Sequence, residues 1–380
     1  MKFKSSEETS FQKIDLTKKY LKKNNCLNGC TFQDLDFTKV NVDWPKFDTK
    51  DASFLGCTFP KGIEDLLRKN GALIIAKPKD IPYNPFRKNL YTWQELMEGY
   101  SAKKDNSFDL KVYENFSKSK FRPIVLETMW QRIHDHAMDD ALRDLLKFDE
   151  SGMTRKKCVG FMGGHGTLRT DLFYKKTAFT AKLLAEKGYF IVSGGGPGIM
   201  EATNLGAYFA KRSNKDLEFA IELLSKAPHF SHKDFHNQSL KVLKKFPNGK
   251  PSLAIPTWFY GHEPSNLFAS HIAKYFSNSI REDTLLAISL FGIVCAPGSA
   301  GTTQEIFMDA TQNHYGTFNY YSPMIFLGKK RYEIDTFIYP LLKQLAHGRK
   351  YADLLHITDE PEEVLRFLKK NPPIKVEEKH

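Results

Sequence analysis

The sequence predicts an α/β protein built on a Rossmann-like, doubly wound parallel sheet, with an N-terminal extension that includes a short pentapeptide-repeat-like β segment. Three observations predict it. From Cys158 onward, short apolar runs alternate with helical patterns of crossover length. Three of those runs end in glycine clusters that precede helices. Ahead of them, residues 25–60 space their apolar side chains five apart, a period that is neither helical nor a simple strand alternation.

In chain order, Leu27, Phe32, Phe37, Val42 and Phe47 set the five-residue step, and Phe54 and Phe59 restart it. Cys30, Leu35, Val40, Ala52 and Cys57 stand two residues before most of these. Pentapeptide repeats stack as a square β-helix, and so few turns must pack on something larger, which makes this a structural or oligomerisation element. Residues 63–149 mix a strand-like ALIIA (Ala72–Ala76), a proline-rich loop (Pro78–Pro85) and a helical stretch (Ile124–Leu146), with no catalytic spacing. Residues 1–150 therefore form the extension, Ser151–Lys157 reads as a linker, 151–372 form the Rossmann-like domain, and 373–380 are a polar tail.

Within that domain the expected order is CVGFM, a helix near Asp171–Lys187, YFIVS, a helix from about Ile199, SLAIP, a helix near Asn266–Leu290, and FGIVCA. A helix to about His314, PMIFL, a helix around Asp335–Ala346, LLHIT and a final helix Pro361–Lys370 complete it. Continuous apolar strands of this kind belong in a parallel sheet covered on both faces, whose ligands bind at the carboxyl ends of the strands.

Composition bounds the rest. The chain has 380 residues, 41% hydrophobic and 26% charged, enough for one large domain and a smaller one. Its net charge of +12, from 56 basic and 44 acidic residues, favours anionic partners or simply reflects a lysine-rich solvated surface. The five cysteines, Cys26, Cys30, Cys57, Cys158 and Cys295, lack C-x-x-C spacing and read as buried thiols of a cytoplasmic protein. The chain start lacks an apolar leader pattern, and no apolar stretch is long enough to span a bilayer.

The glycine clusters are Gly163-Gly164-His165-Gly166-Thr167, Gly194-Gly195-Gly196-Pro197-Gly198 and Pro297-Gly298-Ser299-Ala300-Gly301-Thr302. Bare backbone at a helix start lets N–H groups approach an anion, so three converging clusters favour a phosphate ligand. A standard dinucleotide fingerprint is disfavoured, because Arg169 and Glu201 stand where the third glycine belongs. A Walker loop is absent too.

Taken together, SGGGPGIMEA (Ser193–Ala202), Arg281 and PGSAGTTQE (Pro297–Glu305) resemble the Lonely Guy (LOG) family, also labelled lysine decarboxylase-like, over roughly Val159 to Lys370. The extension, the long segment between Gly206 and Ser252, and Glu263-Pro264-x-Asn266 make it similar to the larger bacterial nucleotide 5'-monophosphate nucleosidases. The resemblance implies hydrolysis of the N-glycosidic bond of a nucleoside 5'-monophosphate, giving free base and ribose 5-phosphate. A homo-oligomer is expected, with no cofactor, no metal, no nucleic acid and no membrane. Arg281 and Glu305 take the catalytic positions, and Gly195, Gly196, Gly198, Gly298, Gly301 and Thr302 the phosphate-binding ones. Gly164, Ser299 and Ala300 join them from the glycine clusters. Two departures stand out: Ser299 replaces the second glycine of P-G-G, and Glu282 follows Arg281 where many members have lysine.

The chemistry can be argued from the residues as well. Breaking a base from ribose passes through an oxocarbenium-like state, which a carboxylate near the anomeric carbon stabilises while it activates water. Glu305, one turn into a helix that holds the phosphate, suits that task, and Arg281 can orient it or bind the phosphate. Against this, Thr302-Thr303-Gln304-Glu305 also spells a capping box, in which Glu305 merely caps the helix. Trp258–Asn266, WFYGHEPSN, is the candidate for base recognition: aromatic faces stack on a base and Glu263 or Asn266 reads its edge, the alternative being a packed aromatic loop. His229, His232 and His236 have ligand-like spacing but sit in a polar insertion without cysteine, so a metal site is disfavoured. A catalytically silent nucleotide sensor on the same fold is the alternative function, and a nucleic-acid binder rests on charge alone.

Overall fold

The computed structural model describes residues 9–101, 105–149 and 151–377. The chain forms two compact units: the first runs to Asn89 and adds Ser119–Asp140, and the second takes Leu90–Lys118 and the chain from Ala141 onward.

In the first unit β1 (Thr9–Phe11), β2 (Cys30–Gln33), β3 (Ser53–Leu55) and β4 (Leu73–Ile75) pair in that order, all parallel. Phe32 pairs with Phe54, and the bridges Cys26 to Asp48 and Asp36 to Thr58 keep the same offset, so one coil of chain lies on the next. The five-residue step marks the sides of that coil. Leu27, Phe32, Phe37 and Phe47 point inward and are buried, whereas Val42 is half-buried. Corner amides that no strand or helix would satisfy bond to the coil above instead, as in Leu27 N to Asp48 O (2.8 Å) and Phe37 N to Thr58 O (2.9 Å). Equivalent positions stack their rings, Phe11 on Phe32 at 5.1 Å and Phe32 on Phe54 at 4.8 Å, while Trp44 meets Phe54 edge-on.

The second unit contains β5 (Cys158–Met162), β6 (Phe190–Ser193), β7 (Leu253–Ala254), β8 (His271–Ile272), β9 (Ile293–Cys295), β10 (Tyr320–Tyr321), β11 (Met324–Leu327), β12 (Leu355–Thr358) and β13 (Ile374–Lys375). Seven of these form one sheet in the order β12-β11-β9-β5-β6-β7-β8, with every pairing parallel. Helices flank it, giving the Rossmann-like architecture expected. Strands β5, β6, β9 and β11 are buried along their whole length, which is why each reads as an unbroken apolar run. One core cluster packs Val159, Phe161, Ile191, Val294 and Ile325 against Ala181, Leu184, Leu365 and Leu368 from the helices Leu172–Glu186 and Pro361–Lys370. The long segment after Gly206 is helical, with Asn214–Leu224 started by a Ser213/Asp216 capping box and Phe235–Lys245 following.

The expected helix Asn266–Leu290 is shorter than the sequence suggested, spanning only Asn278–Ile288. Upstream, the Asn266 side chain accepts from the amides of Phe268 and Ala269, a local alternative to helix, and β8 then adds to the sheet edge. That edge is covered by Tyr91, which exchanges two backbone bonds with Ile272. Ile374–Lys375 of the polar tail pairs antiparallel with Tyr320–Tyr321; residues 378–380 lie outside the described residues. Four cysteines are buried and Cys26 is exposed, contrary to the reading of all five as buried thiols, because its neighbour Leu27 takes the inward position and adjacent residues of extended chain point to opposite faces. No helix among the described residues is long and apolar enough to cross a membrane.

The coil is held together by ring stacking, so truncating a central ring removes contacts on both sides. Phe54→Ala should lower the unfolding free energy by about 3–5 kcal/mol in denaturant titration of the full chain.

Candidate functional site

The strand order reverses between β5 and β9: the chain leaves β5 toward β6, β7 and β8, then returns to lay β9 on the other side of β5. Open α/β sheets place their ligand crevice at such a point. Here the loops after β5 and β9 touch, with Gly164 N donating to Pro297 O at 3.0 Å. A Cβ on Gly298 would overlap Thr302 Oγ1 and lie 2.9 Å from Gly164 N, so close backbone approach accounts for that glycine. Gly198, at φ +66°, packs on the same loop, where a Cβ would overlap Gly164 O. Ile199 N donates to Gly164 O at 3.1 Å. Gly198 and Gly298 therefore pack the glycine loops together behind the cavity wall.

In front of them lies a cavity of about 560 Å³, lined by Gly164, Gly194, Gly195, Gly196, Ser299, Ala300, Gly301, Thr302, Arg281, Glu282, Gln304 and Glu305 among others. That volume is in the range of small-molecule sites. The helix Ala300–Tyr315 begins at this wall, and Ser299, its N-cap residue, makes no side-chain cap bond, so the helix start beside the cavity carries first-turn N–H groups without a side-chain cap. The helix Leu172–Glu186, in contrast, starts only after its own N-cap Asp171, away from the first glycine cluster.

Glu305 does not complete a capping box: the helix starts at Ala300 rather than after Thr302, and Glu305 turns to Arg281 instead. Arg281 Nη1 donates to Glu305 Oε1 at 2.9 Å, Nε to Ile255 O at 2.8 Å and Nη2 to Gly194 O at 3.4 Å. Both side chains are buried, Arg281 at 7% and Glu305 at 9% exposure. Burial pushes the Glu305 carboxyl above the usual carboxylate range; the Arg281 charge and hydrogen bond pull it back, and Glu282 pushes it up again, leaving it raised. A raised carboxyl facing a cavity is the electrostatic pattern of a group that exchanges protons.

The Trp258–Asn266 stretch divides. Tyr260, Gly261, Glu263 and Ser265 line the cavity. Trp258 is fully buried: its indole donates to Asp109 Oδ1 at 2.7 Å. Asn266 is scaffold too. Its amide donates to Asn204 Oδ1 at 2.7 Å, and its backbone N–H holds Gly195 O at 3.2 Å. Glu263 stands 3.9 Å from His165 Nδ1 across the cavity.

Sequence reasoning missed Asp109 and Lys274. Lys274 lines the cavity while its ammonium sits 2.7 Å from Asp109 Oδ1 and 3.2 Å from Ser265 Oγ. Asp109 comes from the stretch before residue 150 in which no catalytic spacing was visible, and Leu90–Lys118 belongs to the same compact unit as the sheet. Nothing in the local sequence marks a partner that lies so far along the chain.

The residues that break the dinucleotide fingerprint pair with each other. Arg169 grips Glu201 bidentately, at 2.8 and 2.5 Å, and donates to Ser239 Oγ, while Tyr174 OH also donates to Glu201 at 2.9 Å. Of the three histidines, His229 bonds to Ser231, His232 accepts from Asp234 N, and His236 packs edge-on against Tyr100. Among the described residues no group of three His, Cys, Asp or Glu is placed to hold a metal.

No protein-family model matches the chain. No curated protein matches it either. Similar solved structures include the molybdenum cofactor binding protein from the phototrophic bacterium Rippkaea orientalis, at 17% identity and TM-score 0.37, covering 57% of this chain and 97% of that one. The Moco carrier protein from Chlamydomonas reinhardtii is similar at 16% identity and TM-score 0.36, covering 57% and 100%. Likeness at this level assigns neither family nor activity.

Asp309, one turn beyond Glu305, supplies a pH test. It is buried, its Oδ2 finds no hydrogen-bond partner among the described residues, and burial pushes its carboxyl up to about 8. The folded chain thus keeps a proton that the unfolded chain releases in the ordinary carboxylate range. Stability should fall by about 1.4 kcal/mol per pH unit as pH rises from that range to about 8. Asp309→Asn should flatten this slope relative to the unchanged protein in melting curves across that window.

Proposed function

We propose that the protein hydrolyses the N-glycosidic bond of a nucleoside 5'-monophosphate, releasing the free base and ribose 5-phosphate. The observation that carries this reading is the placement of Glu305. Its carboxylate, fixed by Arg281 at 2.9 Å, faces a cavity whose other wall is the N-terminus of the same helix. A phosphate at Ser299–Thr302 and a sugar reaching toward Glu305 follow from a single rigid element.

The roles divide along that helix. Backbone N–H groups at Ser299–Thr302, with Gly196 opposite, hold the phosphate without side chains in the way. Glu305, ionised, stabilises the positive charge that grows on the ring as the bond from C1' to the base nitrogen breaks. Water then adds to C1', one of its protons passes to Glu305, and Glu305 hands that proton on to the departing base, which leaves the carboxylate ionised again. Arg281 keeps the carboxylate aimed and holds down its proton affinity, which burial alone would raise further.

Release of free base from a panel of nucleoside 5'-monophosphates tests the reading. The unaltered chain should yield base and ribose 5-phosphate in equal amounts, and Glu305→Gln should cut turnover by about 10²- to 10⁴-fold. Binding of mononucleotides with no release by the unaltered chain would make the cavity a binding site and sink the hydrolase reading. The pH profile gives a second check. Glu305 must be ionised, so activity should climb with pH through its raised pKa, and Arg281→Gln, which removes the downward pull, should move that acidic limb to higher pH. An unmoved limb would separate Glu305 from the chemistry.

A further inference from the structure

Glu282 occupies a position the nucleotide reading has not used, and the inference drawn from it rests on that reading. It sits beside Arg281 on the helix Asn278–Ile288, lines the cavity and is only 4% exposed. A carboxylate buried this far needs a reason.

One of its oxygens is anchored: Gln304 Nε2 donates to Oε2 at 2.8 Å, from the residue immediately before Glu305. The other, Oε1, accepts no hydrogen bond from any described residue and stands 4.0 Å from Arg281 Nη1. That nitrogen is the one bonded to Glu305 Oε1. Two carboxylates thus flank one guanidinium nitrogen, and whatever atoms they reach on a ligand must be close neighbours.

The identity of the neighbour follows from the substrate's chemistry. If Glu305 faces the anomeric carbon, the groups attached next to it are the glycosidic nitrogen, the ring oxygen and C2' with its hydroxyl. The first two carry no hydrogen to give to a carboxylate. The 2'-hydroxyl does. A lysine at this position would offer donors only, whereas Glu282 offers an acceptor. We infer that Glu282 Oε1 accepts a hydrogen bond from the ribose 2'-hydroxyl and makes the site selective for ribonucleotides over 2'-deoxyribonucleotides. A bond from the 2'-hydroxyl to a carboxylate also strengthens as positive charge builds on the ring, so the contact helps the reaction as well as the choice of sugar.

Calorimetric binding of ribose 5-phosphate and 2-deoxyribose 5-phosphate to the full chain tests this without depending on turnover. The unaltered chain should prefer the ribose compound by about tenfold or more, the scale of one hydrogen bond to a charged group. Glu282→Ala should bring that ratio to within about twofold of one, and Glu282→Gln, which keeps an acceptor but loses the charge, should fall between. Equal binding of the two sugars by the unaltered chain, or an undiminished preference in Glu282→Ala, overturns the inference while leaving the nucleotide reading intact. Failure of both sugar phosphates to bind the unaltered chain overturns the nucleotide reading itself and this inference with it. Should Glu282→Ala not fold, the Gln variant decides: an unchanged ratio there counts against the charged contact.

Discussion

The guanidinium of Arg281 is the interaction on which the site depends. Its three nitrogens reach three different segments: Ile255 O after β7, Gly194 O after β6, and Glu305 in the helix after β9. A buried cation must be neutralised and its donors paired; here Glu305 supplies the opposite charge, and carbonyls just after β6 and β7 accept two of the donors. Breaking such a pair by removing one partner typically costs about 3–5 kcal/mol, because the other charge is left stranded. The same geometry explains Gly194, where any Cβ would overlap Arg281 Nη2. It is also why Glu305 is aimed at a cavity rather than at its own helix end.

Behind that hub the loops are fixed by two further devices. Gly198 and Gly298 let three backbones pack at distances that side chains would forbid. The buried Arg169–Glu201 pair, with Tyr174 and Ser239, ties the segment after β5 to the helix Ile199–Tyr208 and to the helix Phe235–Lys245. Asn266, Asn204 and Ser193 add a chain of hydrogen bonds beneath Gly195, whose N–H donates to Ser193 Oγ at 3.0 Å. The cavity is therefore walled by closely packed backbone and lined by the hydrogen-bonded groups Arg281, Glu282 and Glu305.

Much of this was legible in the sequence because the signals are local. Strands buried on both faces show as apolar runs, the glycine clusters fall where backbones meet, and the five-residue step of the coil follows directly from one inward side chain per side. Arg281 and Glu305 were found as parts of an ordered motif set, and the structure brings them within hydrogen-bonding distance. The helix near Asn266 was over-extended because Asn266 satisfies its neighbours' amides itself, a choice that apolar spacing does not reveal. Trp258 and Asn266 were given to base recognition on their chemistry alone, yet each is buried with its polar atoms committed to other residues. Asp109 and Lys274 were invisible for a different reason: their pairing joins residues far apart in the chain, and only the fold makes them neighbours.

The most direct test of the central claim, that the helix start holds the phosphate while Glu305 works on the sugar, is a crystal structure of Glu305→Gln soaked with a nucleoside 5'-monophosphate. The predicted result is the phosphate on the Ser299–Thr302 backbone and the anomeric carbon facing residue 305. A nucleotide bound the other way round, with its phosphate on Arg281 and its base at the helix start, would contradict it.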